Sequence, residues 1–139
     1  KKIDKLKIFL PSGTGTTALY LQKYLPFEVL TCSCVGDDEY LEKQFNMLEN
    51  TNHPKIFEKP KKYHFGKLYK EFYLKHLELL EKTGIEFDLL YDSLGWIVFE
   101  NYLNNFEQKE EYTFLYIHQG GVLGNKTMLD RYRYKFTII

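Results

Sequence analysis

The sequence lacks an excess of either charge: 19 Lys and Arg stand against 19 Asp and Glu over 139 residues. A neutral chain has no net field to draw nucleic acid or an anionic membrane surface, so neither is expected as a partner. No apolar run is long enough to cross a bilayer, and no signal-peptide pattern opens the chain. A cytoplasmic location is expected. Cysteine is nearly absent. Cys32 and Cys34 share one face of an expected strand, and nothing nearby completes a four-coordinate metal site. Two buried, reduced thiols and no metal are therefore expected. No Gly-Lys-Ser/Thr stands at P-loop spacing, which excludes that motif, and the lack of a G-x-S-x-G elbow weighs against a serine hydrolase. Internal repeats and low-complexity tracts are also missing.

Aromatic side chains are abundant, at 17% of the chain with 12 Tyr and 11 Phe. That much ring surface implies a packed interior or a covered interface. The length suits one domain, residues 1–139. Apolar periodicity predicts strands at residues 7–11, 29–35, 85–91 and 112–118, with helices at 16–24, 39–50, 68–82, 94–106 and 125–134. Residues 50–62 read as an exposed connector, since they carry Pro54, Pro60 and several lysines. On helix 68–82 the stripe Tyr69, Phe72, Tyr73, His76, Leu77 and Leu80 is apolar apart from His76, a packed core histidine in this reading. Strands alternating with helices predict an α/β fold, a parallel β-sheet with helices on both faces. The chain opens without Met and closes on an apolar run, so a fragment of a longer protein is expected.

Three polar clusters fall at expected strand ends, where ligands bind in parallel sheets. The first is Ser12-Gly13-Thr14-Gly15-Thr16-Thr17-Ala18. Glycines permit a sharp turn and close backbone approach, and the helix start that follows offers free N–H groups and a positive dipole end. This is a phosphate cradle, and the phosphate is read as part of a cofactor. The second cluster is Tyr91-Asp92-Ser93, where Asp92 and Ser93 alternatively cap the following helix. The third is His118-Gln119-Gly120-Gly121, where backbone alternatively satisfies His118 and the glycines only make the turn. The first cluster also matches G-x-G-x-x-G/A, with Asp37 and Asp38 about 20 residues further on, as a ribose-binding acid would be. A dinucleotide-binding domain of an oxidoreductase is thus the alternative, and a phosphate-binding regulatory module a third reading.

Taken together with Asp88-Leu89-Leu90-Tyr91-Asp92 and Tyr116-Ile117-His118-Gln119-Gly120-Gly121, the first cluster has a family likeness. The chain resembles the carboxyl-terminal half of the 1-aminocyclopropane-1-carboxylate deaminase/D-cysteine desulfhydrase family, whose architecture is the tryptophan-synthase-β-like (fold type II) pyridoxal-phosphate fold. The resemblance implies that Gly13, Thr14, Gly15, Thr16 and Thr17 hold the phosphate of pyridoxal 5′-phosphate. It implies a catalytic Tyr91 near the substrate, Asp92 facing the pyridine nitrogen, and His118, Gly120 and Gly121 at the edge of the site. It further implies a two-domain homodimeric enzyme that converts a small amino acid to an α-keto acid and ammonia. The family's Schiff-base lysine lies in the amino-terminal half, so the chain alone is expected to be inactive without that missing half as partner. A second family tyrosine corresponds to Phe65 within His64-Phe65-Gly66-Lys67, which leaves room for a related deaminase or lyase of divergent specificity.

Overall fold

The computed structural model describes residues 5–137. Strand β1 (Leu6–Ser12) lies in the interior of a four-stranded sheet and pairs in parallel with β2 (Glu28–Ser33) on one side and β4 (Thr113–Tyr116) on the other. A two-residue strand, β3 (Lys55–Ile56), adds to the far edge of β2, giving the order β3-β2-β1-β4. The helices are α1 (Thr16–Tyr24), α2 (Asp38–Leu48), α3 (Lys70–Thr83), α4 (Asp92–Asn105) and α5 (Asn125–Phe136), with short 3₁₀ turns at Lys109–Glu111 and Val122–Gly124.

Alternation along β1 divides the core. Ile8 and Leu10 pack with Ala18 of α1 and Val29 of β2. Phe9 faces the opposite way and joins Phe72, Leu94, Val98, Phe99 and Tyr132 from α3, α4 and α5. Period-two geometry thus places helices on both faces, and this is the α/β fold expected from the sequence. Leu41 and Phe45 of α2 close over Leu19 of α1. Helix α2 starts as its sequence dictates: Asp37 Oδ1 accepts from the Tyr40 N–H at 2.8 Å. Helix α3 ends on Gly84 in the left-handed conformation at φ +71°. Cys32 and Cys34 are buried free thiols.

Three expectations need correction. Residues 50–62 are not wholly connector, because β3 forms there. Its lysine and the flanking Pro54 are the features that blunt edge strands and hide them from pattern reading. Leu77 and Leu80 do not belong to the buried stripe of α3; both are exposed, as are Leu74 and Ile85.

The third correction bears on the site. Residues 85–91 form no strand, although Phe87, Asp88 and Leu89 are buried. Side chains satisfy this backbone in place of a ladder. Asn125 Nδ2 donates to the Phe87 carbonyl at 3.0 Å, and Asn125 Oδ1 accepts from the Leu89 N–H at 3.0 Å. His76 Nδ1, buried as expected, bonds the same Phe87 carbonyl at 2.9 Å. The Leu90 and Tyr91 N–H groups donate to Asp88 Oδ1 at 2.9 and 2.7 Å. Buried backbone must be paired, and here the partners come from α3, α5 and the segment itself.

Candidate functional site

The Gly-rich turn leaves β1 and enters α1 through Gly15, whose φ of +85° is left-handed. No side chain caps α1, and its first turn holds no acidic residue. The Thr14 and Thr16 hydroxyls bond each other at 3.1 Å. An uncapped helix start with no competing carboxylate is open to an anion. Ser12 differs from its neighbours: its hydroxyl donates to Thr31 Oγ1 at 2.5 Å, while Thr31 donates to the Leu10 carbonyl. That side chain ties β1 to β2.

The turn forms one wall of a cavity of about 400 Å³. Gly13, Thr14, Gly15, Thr16 and Thr17 line one side, Tyr91 and Asp92 a second, and Gly120 and Gly121 a third. Three separate stretches of sequence therefore meet at one crevice. The second stretch arrives by a different route from the expected one. Tyr91 stands at the N-cap of α4 and Asp92 is its first residue, so a helix start rather than a strand end carries them. The Tyr91 ring lies against Gly13, where an added Cβ would sit 3.4 Å from the ring edge. Burial, then the nearby Cys34 and Asp88, raises the Tyr91 hydroxyl above its ordinary value, so it stays protonated at neutral pH.

Asp92 is only 1% exposed. It caps no helix N–H. Its Oδ1 accepts from the Tyr116 hydroxyl at 2.6 Å, and its Oδ2 from the Asp88 N–H at 3.3 Å. Among the described residues no Lys or Arg pairs with Asp92, and the one basic group within 4.0 Å is the His118 ring, with Nδ1 3.6 Å from Oδ2. The bonds of His118 assign it as the neutral Nε2–H tautomer: Nε2 donates to the Glu86 carbonyl at 2.9 Å, and Nδ1 accepts from the Gly120 N–H at 3.1 Å. His118 is thus satisfied by backbone and does not line the cavity, unlike Gly120 and Gly121.

Asp88, Leu90 and Gln119, which stand within the second and third sequence motifs, also line the cavity. Gln119 Nε2 donates to the Pro11 carbonyl at 3.1 Å and ties the third stretch to β1. Burial, then the adjoining Asp92 carboxylate, pushes Asp88 from its ordinary 3.8 up to about 7. Between these values the folded protein retains a proton that the unfolded chain has released, so stability falls as pH rises from about 4 to about 7. Asp88→Asn keeps the acceptor for Leu90 and Tyr91 and removes the titration. Denaturant midpoints across this window are expected to decline more steeply for the native protein than for the variant.

Asp37 and Asp38 lie away from this cavity. Asp37 caps α2, and Asp38 Oδ1 accepts from the Ser33 hydroxyl at 2.5 Å. Phe65 packs on the Tyr91 ring at 5.4 Å, and the Tyr63 hydroxyl turns to Glu71 at 3.1 Å. Neither lines the cavity, and no lysine lines it among the described residues. No cluster of three or more potential metal ligands occurs among the described residues, and no helix among them is long and apolar enough to cross a membrane.

No protein-family model matches the chain, and no curated protein matches its sequence. Among solved structures, a chain described as an ACC deaminase homologue superposes with a TM-score of 0.71 at 16% identity. The match covers 100% of the present chain and 46% of that one, so the present chain spans less than half the length of this neighbour. The likeness is one of fold.

Proposed function

We propose that this chain supplies the phosphate-binding and ring-nitrogen-binding walls of a pyridoxal 5′-phosphate-dependent deaminase or lyase acting on a small amino acid. One observation carries the reading. An anion-seeking helix start and a buried carboxylate without a Lys or Arg partner face the same cavity. A ligand that suits both carries a phosphate at one end and a protonated nitrogen at the other, because a buried carboxylate left without a cation is costly. The volume is in the range of small cofactor sites.

The residues divide the work as follows. Backbone N–H groups of residues 13–17 hold the phosphate, and the Tyr91 ring lies against the turn at Gly13. Asp92 holds a proton on the ring nitrogen. When bound, the cofactor supplies an electron sink for the bonds that break at the amino-acid α-carbon. Tyr91, protonated at neutral pH, acts as a hydrogen-bond donor toward the substrate. Gly120 and Gly121 close the rim. The covalent-linking lysine comes from outside this chain, in keeping with a neighbour of more than twice the length. The missing half, the amino-acid substrate and a second copy are the partners this reading assigns.

The dinucleotide alternative fares less well, since its two candidate ribose acids are engaged in the α2 cap and with Ser33. Calorimetric titration separates the two readings without needing the lysine. Pyridoxamine 5′-phosphate is expected to bind at least about tenfold more tightly than pyridoxamine, given the strength of charge-assisted bonds to the phosphate. NAD that binds as tightly as pyridoxamine 5′-phosphate would overturn the proposal.

A further inference from the structure

The orientation of the Asp92 carboxylate depends on a residue that does not line the cavity. Tyr116, at the end of β4, donates to Asp92 Oδ1 at 2.6 Å. Its ring is stacked on Trp96 at 4.4 Å and bordered by Phe87, Phe9 and Phe99 at 5.8 to 5.9 Å. Four rings leave the hydroxyl little freedom. A second, independent feature points to the same contact. Gly95 sits inside α4, where glycine is unfavourable by about 1 kcal/mol against alanine. A Cβ there would stand 2.7 Å from Tyr116 Oη and 3.1 Å from Pro11 Cβ. The missing side chain is the space that lets α4 approach β4 and β1 closely enough for Tyr116 to reach Asp92, three residues earlier on the helix.

We infer that Tyr116 is a positioning residue for Asp92: its hydroxyl fixes one carboxylate oxygen so that the charge faces the cavity, and Gly95 is the vacancy that allows it. The inference rests on the cofactor reading above. The other titratable groups facing Asp92 are Asp88, through its N–H and its carboxyl, and His118, whose Nδ1 is already taken by Gly120. Asp88 keeps its proton up to about pH 7 and also faces the carboxylate, but the Tyr116 hydroxyl is the donor to Oδ1 that surrounding rings hold in place. With Tyr116 on Oδ1 and the Asp88 N–H on Oδ2 the carboxylate keeps one direction; without the Tyr116 hydroxyl only the longer 3.3 Å bond to the Asp88 N–H orients it.

Two probes read this directly: pyridoxamine 5′-phosphate, which has a ring nitrogen, and phenyl phosphate, which has none. Tyr116→Phe and Gly95→Ala are each expected to weaken the first about three- to tenfold, the range of one neutral hydrogen bond, and to leave the second within about twofold. Retained phenyl phosphate binding also reports an intact fold. The double variant Tyr116→Phe/Asp92→Asn is expected to bind no more weakly than Asp92→Asn alone, because Tyr116 acts through Asp92. The inference fails by itself if Asp92→Asn loses pyridoxamine 5′-phosphate while Tyr116→Phe does not. Full addition of the two losses, or equal loss of both probes, also overturns it by making the role merely structural. If the native protein binds neither probe, or does not distinguish them, the cofactor reading falls and the positioning role falls with it. The native and Asp92→Asn titrations tell these failures apart.

Discussion

Asp92→Asn is expected to lower turnover about 100- to 1,000-fold in the protein that contains this chain, the usual cost of removing a preorganised electrostatic partner. The variant keeps the volume and one acceptor. It loses the charge that, in the proposed function, holds a proton on the ring nitrogen, and without that proton the ring is a poor electron sink. Cofactor binding is expected to suffer less, about tenfold, since the phosphate contacts proposed for residues 13–17 are untouched. One of the two donors now served by Asp92, the Tyr116 hydroxyl or the Asp88 N–H, loses its acceptor. A stability loss of about 1 kcal/mol is the expected side effect. Ammonia release under saturating cofactor measures the turnover, and a near-native rate would remove Asp92 from the chemistry.

Gly15→Ala is expected to have the largest effect on the fold. At φ +85° an alanine costs about 1–2 kcal/mol in backbone strain. Its Cβ would lie 2.6 Å from both Leu41 Cδ1 and Phe45 Cε1, two buried residues of α2 that have little room to move. Overpacking of that kind costs about 1–3 kcal/mol more. A loss of about 2–5 kcal/mol is a large share of the stability of a domain this size. Denaturant titration reads it. Gly13→Ala is the contrast: φ is ordinary there, and the new Cβ meets the Tyr91 ring at 3.4 Å, a normal contact. Native-like stability with weakened phosphate binding is expected of Gly13→Ala. If both glycine variants keep full stability, the reading of Gly15 as a packing requirement is wrong.

Legibility in the sequence follows how local each signal is. The strand, Gly-rich turn and helix start at residues 6–24 were legible because they are adjacent along the chain, and the structure bends them as the residues require. The α2 cap at Asp37 and the α3 stop at Gly84 are equally local. Residues 85–91 carry the apolar content of a strand, yet their backbone pairs with Asn125, His76 and Asp88. No periodicity encodes side-chain partners of this kind, which come from Asp88 within the segment, from His76 11 residues before Phe87, and from Asn125 36 and 38 residues further on. The two-residue β3 is too short to pattern. At the site, Tyr91 and Asp92 were visible as a polar pair, but Asp88 looked like one charge in an apolar run. Its importance comes from burial beside a second carboxylate, which only the folded chain creates. Tyr116 heads the third motif in the sequence without a role of its own, and its distance to Asp92 supplies one. His118 shows the reverse. A histidine in a Gly-Gly turn draws attention, and its ring proves to be held by the backbone of Glu86 and Gly120.

Crystals grown with pyridoxamine 5′-phosphate test the central claim most directly. The expected density places the phosphate on the N–H groups of residues 13–17 and the ring nitrogen within hydrogen-bond distance of an Asp92 oxygen. A phosphate seated elsewhere, or a ring whose nitrogen points away from Asp92, would contradict it.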